Sequence, residues 1–248
     1  MTIRIYIVRH AQPASQEPGY PGGPNPPLGQ KGRMQAERVG RQMSQWGIDA
    51  LYSSCMQRTL ETARPIRERT GVPWSVWPAL GETDRRGWPV IREKLARGES
   101  PESPEQIALR REHPNHVPLS ALGEGFGPFE TNQPFPWPEQ WWLPLENETR
   151  EQTYERADEA IRHLLRLHRG DGDIRIAVIC HGAFGSVLLT RLMQCPPSDS
   201  NLFNQAHAAI SAVDLFDDST QLRFLNYVGH LSPDEVTEGV NFDFGQAD

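Results

Sequence analysis

Two short apolar runs far apart in the chain, IRIYIVRH at residues 3–10 and IRIAVICH at residues 174–181, both stop on a histidine. A single histidine at a strand end usually serves the structure. Two at equivalent places, with Arg9 just before His10, point to chemistry. In an open α/β sheet, ligands bind beyond the carboxyl ends of the strands, so both imidazoles can meet in one crevice. Imidazole can act as nucleophile, acid or base near neutral pH, and an adjacent guanidinium suits an anionic group.

Bringing the two histidines together needs a sheet, and the rest of the sequence supplies one. Residues 3–8 and 174–180 are nearly continuous apolar runs rich in β-branched residues, as in strands buried on both faces of a parallel sheet. Shorter strands are expected at 49–53 and 74–77. Ala36, Val39, Met43 and Trp46 recur at helical spacing within 30–46, and a second helix is expected over 56–69. A Pro/Gly-rich loop over 13–27 follows His10. Tyr154, Ala157, Ile161 and Leu164 mark a helix that starts near Thr149, and a further helix is expected over 184–193. Two closing strands, 208–216 and 221–227, flank a turn at 217–220. The βα rhythm predicts an α/β three-layer sandwich, with a mainly parallel sheet and helices on both faces.

That rhythm is interrupted between Trp88 and Asn147, where Pro, Gly and Trp crowd together, as in PFPWPEQWWLP. Only short helices, over 90–97 and 104–111, are expected there. So aromatic a composition is unlike disorder, and 88–147 reads as an irregular cap insertion on a single domain spanning 1–248. Trp137, Trp141 and Trp142 either line a pocket or form the insertion's own core.

The 248 residues can bury a full core, and their formal net charge of −7 argues against nucleic acid or an anionic membrane as partner. Any anion site must then be a local concentration of Arg, His and backbone N–H groups. No apolar run is long enough for a spanning helix, and the N-terminus reads as a strand rather than a leader. Cys55, Cys180 and Cys195 are odd in number and lack paired spacing, which fits reduced thiols in a cytoplasm. No metal or other cofactor is expected; His113 and His116 sit among Pro and Asn without supporting carboxylates.

Five segments carry a resemblance. Arg9-His10-Ala11 resembles the Arg-His-Gly signature of the histidine phosphatase superfamily, and PPLGQKGRMQAERVG resembles that family's first helix start. LYSSCMQRTLETA is similar to its "SS-x-x-x-R-x-x-x-TA" segment, VICHGAFGSVLL to its second histidine, and LRFLNYVGHL to its closing strand. They occur in order along most of the chain. His181 is followed by Gly-Ala, where the acid phosphatase branch has His-Asp, so the resemblance is to the phosphoglycerate mutase-like branch.

The resemblance implies a metal-independent phosphomonoester hydrolase acting on a small phosphorylated substrate. His10 would be the nucleophile that becomes phosphorylated. Arg9, Arg58, a His181 protonated beside the dianion and the backbone at Gly182 would hold the phosphoryl oxygens, as Gln16 would in place of the family's usual Asn. Glu82, in Leu80-Gly81-Glu82, matches the family's proton donor; Glu124 and Glu130 are the reserve carboxylates. Arg85 and Arg86 could meet a second anionic group or lie in solvent. The competing readings are a phosphoglycerate mutase, which would keep the same intermediate from water, and a scaffold that uses the cap as a partner surface.

Overall fold

Strands β1 (Ile3–Arg9) and β4 (Ile174–Cys180) pair in parallel and in step, from Ile3 opposite Ile174 to Arg9 opposite Cys180. They form the centre of a six-stranded sheet in a computed structural model that describes residues 2–21, 25–83, 148–168, 170 and 172–237. β2 (Ala50–Ser53), β3 (Trp74–Val76), β5 (Ile210–Leu215) and β6 (Thr220–Tyr227) complete the order β3-β2-β4-β1-β5-β6. β3, β2, β4 and β1 pair in parallel, while β5 is antiparallel to both β1 and β6. One reversed strand therefore makes the sheet mixed, within the mainly parallel α/β sandwich that the βα rhythm predicts.

Side chains alternate across this sheet and build two cores. Tyr6, Val8, Ala177 and Ile179 pack with α1 (Gln30–Trp46) and α2 (Gln57–Thr70) on one face. Ile5, Ile7, Ile176 and Val178 pack with α3 (Arg150–Leu167) and α4 (Gly182–Leu192) on the other. Each aliphatic side chain buried in this way contributes about 1.5–3 kcal/mol. The helices are held as closely as the strands. A β-carbon on Gly40 of α1 would lie 2.8 Å from Cβ of Pro65 and 2.9 Å from its carbonyl oxygen, so only glycine lets α1 and α2 approach at this point.

Local chemistry accounts for the boundaries. α1 occupies the range its periodicity marks, and Gly47 beyond its end takes a φ of 72°. Thr149 opens α3 through a capping box with Gln152. α4 begins two residues earlier than expected, because His181 serves as its N-cap residue and Gly182 already belongs to the helix. β5 begins two residues later than expected; Ala208 has a φ of 59°, which breaks the extended backbone there. The 13–27 loop contains a 3-10 turn at Ala14–Gln16 and a bridge between Pro13 and Leu28. The insertion expected over 88–147, with the helices expected in it, its tryptophans, His113 and His116, lies outside the described residues, as do Arg85, Arg86, Glu124 and Glu130. Cys55, Cys180 and Cys195 are free thiols, and no described helix is long and apolar enough to cross a membrane.

Candidate active site

The parallel pairing of β1 and β4 continues one step past the strands, where the His10 amide donates to the Cys180 carbonyl at 2.9 Å. His10 and His181 therefore leave the sheet side by side, with ring centroids 5.2 Å apart. Both are buried. Arg9 enters from β1, and Arg58 from the first turn of α2.

Hydrogen bonds fix the proton positions. Nδ1 of His10 lies 2.8 Å from the carbonyl oxygen of Ala11, which can only accept, so the ring proton sits on Nδ1. Nε2 is left with its lone pair. Burial, followed by the charge of Arg58, holds the His10 pKa well below the ordinary histidine value, so the ring is neutral. The loop that supplies this carbonyl is itself anchored: Ala11 N–H donates to Thr62 Oγ1 at 3.0 Å and Gln12 N–H to Gln35 Oε1 at 2.8 Å. Ala11 is not among the positive-φ residues, so the backbone there does not require the glycine of the resembling motif.

His181 is also neutral here; the protonated donor expected of it is its state beside a phosphoryl dianion. Arg58 Nη2 donates to its Nδ1 at 3.1 Å, and its Nε2–H donates to Ser54 Oγ at 2.8 Å. Burial and then Arg58 push its pKa well below the ordinary value. Positive charge in the cluster thus resides on Arg58 and Arg9. Arg58 is itself buried, and desolvation lowers its pKa to about 10.

A third histidine, His207, was not singled out by the sequence. It is fully buried, with its ring centroid 5.6 Å from that of His10. Arg9 Nη2 donates to its Nε2 at 3.2 Å, and its Nδ1–H points to Thr237 Oγ1 at 3.3 Å. Arg9 Nη1 donates to the Gln205 carbonyl at 2.6 Å. Burial and the charge of Arg9 push the His207 pKa down to about 3. One signal could have found it: a strand antiparallel to β1 starts at the end where β1 stops, so residues just ahead of β5 face the same crevice.

Gly182 also gives room to Arg9, apart from the close approach of backbone to an oxygen expected of it. A β-carbon there would meet Nε of Arg9 at 3.1 Å and its Cζ at 3.2 Å. Glu82 follows the 3-10 turn Pro78–Leu80 and reaches the start of α4, where its Oε1 accepts from Phe184 N–H at 3.1 Å and Thr83 N–H at 3.0 Å. Its charge acts on Arg58. Gln16 is not brought in; it is exposed at the end of its 3-10 turn, with no described side-chain bond to the cluster. Among the described residues, no three His, Cys, Asp or Glu side chains are placed to share a metal ion.

A neutral imidazole with a free Nε2 beside two guanidiniums and a carboxylate is suited to nucleophilic attack on an anionic, tetrahedral centre. The comparisons with known proteins agree in kind. The sequence profile of the histidine phosphatase superfamily (branch 1) matches residues 5–130 and 124–228. An adenosylcobalamin/alpha-ribazole phosphatase of Salmonella typhimurium is 25% identical over 225 residues, covering 90% of this chain and 96% of that protein. Among solved structures, a mycobacterial glucosyl-3-phosphoglycerate phosphatase superposes with a TM-score of 0.61 at 18% identity, covering 91% of this chain and 99% of the other. Bacillus stearothermophilus YhfR also gives 0.61, at 20% identity, covering 92% and 98%.

Proposed function

The chain belongs to branch 1 of the histidine phosphatase superfamily, and from that premise we propose that it hydrolyses small phosphomonoesters through a phosphohistidine on His10. The observation that carries the reading is the His10 tautomer: the bond from Nδ1 to the Ala11 carbonyl leaves the Nε2 lone pair as nucleophile. Nε2 attacks phosphorus in line, the N–P bond forms, and the P–O bond to the alcohol breaks. Glu82 gives a proton to the departing oxygen, then takes one from the water that attacks the phosphohistidine and releases inorganic phosphate. Arg9 and Arg58 bind the equatorial oxygens through charge-assisted hydrogen bonds, with Gly182 leaving room for the Arg9 guanidinium. The doubly negative phosphoryl group reverses the field at His181, which then takes up a proton and becomes the third positive donor.

The chain is read as one domain, with residues 88–147 as a cap insertion. The three free thiols support a reducing, cytoplasmic setting. Hydrolysis of p-nitrophenyl phosphate in the presence of EDTA, by wild type and His10→Ala, tests the chemistry. Activity that survives EDTA and vanishes in the variant is expected. Loss of wild-type activity with EDTA would overturn the metal-independent mechanism. Phosphoryl transfer to a phosphoglycerate in place of water would replace the hydrolase with a mutase.

A further inference from the structure

Far from the phosphate cluster in sequence, Glu148 and Arg156 form a buried ion pair whose side chains are 0% and 6% exposed. The pairing is bidentate, with Nε to Oε1 at 2.6 Å and Nη2 to Oε2 at 2.9 Å. A pair this deep is weak evidence of stability, since apolar replacements of similar volume often serve the fold equally well. Its surroundings indicate another use. The remaining nitrogen, Nη1, donates to the carbonyls of Ala79 at 2.7 Å and Gly81 at 3.0 Å, in the turn immediately before Glu82. The flat guanidinium also lies over the Phe184 ring, 4.2 Å from its centroid. Phe184 is the residue whose amide holds Glu82 Oε1. One guanidinium thus grips both supports of the same carboxylate.

We propose that Arg156, oriented by Glu148, is a positioning residue that sets the Glu82 carboxyl against the leaving oxygen. The inference rests on Glu82 being the proton donor. Arginine suits the task because its planar fork makes two bonds to a carboxylate, reaches two carbonyls with a third nitrogen and stacks on a ring at once. Lysine keeps the charge that Glu148 needs but cannot do all three. The charge of Arg156 also reaches the phosphate side of the site, where it adds to burial and Arg58 in lowering the pKa of His181.

The test uses a graded series of phosphate monoesters, from p-nitrophenyl phosphate, whose leaving group departs without a proton, to a simple alkyl phosphate. Arg156→Lys and Glu148→Gln are compared with wild type and Glu82→Gln. General acid catalysis contributes about 10²–10⁴-fold, so misplacing the acid should cost Arg156→Lys about 10- to 100-fold more kcat/KM on the alkyl ester than on p-nitrophenyl phosphate. Inhibition by orthovanadate should stay close to wild type, and Glu148→Gln should show the same grading to a smaller extent. A loss equal for all leaving groups, or one that simply follows loss of fold, would make the pair purely structural and overturn the proposal. A uniform loss in Glu82→Gln would remove Glu82 as the acid, whereas grading in Glu82→Gln alone would remove only the role of Arg156.

Discussion

Replacing Arg58 with methionine should abolish most activity without weakening the protein. Arg58 is buried and desolvated, and its pKa is pushed down to about 10. An arginine remains charged regardless, so the shift is a cost carried by the folded state. At ~1.4 kcal/mol per pH unit, that cost is on the order of 3 kcal/mol. The sign is that of a cation held below its unfolded pKa: at neutral pH the charged form destabilises the fold, and deleting the charge returns that energy. Against this, His181 Nδ1 loses the donor at 3.1 Å, a penalty of about 1–3 kcal/mol. The net change is ~0–2 kcal/mol in favour of the variant, so Tm should hold or rise by a few degrees. Catalysis should behave oppositely. Two charge-assisted bonds to a phosphoryl group, at about 1.5–3 kcal/mol each, correspond to ~10²–10⁴ in kcat/KM. The pH profile gives an independent reading. After burial, Arg58 is the leading cause that lowers the pKa of both His10 and His181. Removing it raises both, His10 is protonated at higher pH, and the acidic limb of kcat/KM should move upward. Differential scanning fluorimetry and p-nitrophenyl phosphate kinetics across mildly acidic pH suffice. A Tm that drops several degrees together with activity would refute the reasoning, because Arg58 would then be holding the fold. An unmoved acidic limb would show that its field does not govern His10.

His207→Phe keeps a ring of similar shape but removes the acceptor for Arg9, which should raise the inhibition constant for phosphate by roughly five- to tenfold. His207→Gln, which restores an acceptor, should recover most of it; failure to recover would mean that the ring only fills space. Gly182→Ala places a methyl 3.1 Å from Arg9 Nε and displaces the guanidinium by a few tenths of an ångström. Roughly three- to tenfold lower kcat/KM at unchanged Tm is expected, and wild-type kinetics would show that the guanidinium has room to spare.

Local patterns made the frame of this protein readable. α1 was legible because four apolar residues share one face; β1 and β4 were legible because both faces of each strand are buried. His10 and His181 followed from those strands, since a parallel pair delivers its carboxyl ends to one place. What stayed hidden depends on contacts across the chain. The reversal of β5 requires knowing its neighbour, and without it His207 is one histidine in Ala-His-Ala-Ala. The Glu148–Arg156 clamp joins α3 to carbonyls 75 and 77 residues earlier in the chain, a link that no spacing reveals. The neutral state of His181 could not be read either, because a proton position follows from a 3.1 Å contact with Arg58.

The bond from the His10 amide to the Cys180 carbonyl, which prolongs the pairing of β1 with β4, has a consequence for how the protein fails. The backbones that carry the two imidazoles are set side by side by the pleated sheet. The last amides to exchange with solvent should be those beneath the reacting atoms. Heat would then leave few molecules that are folded yet crippled. Residual activity after warming would count surviving sheets, which makes turnover itself a thermometer of the core.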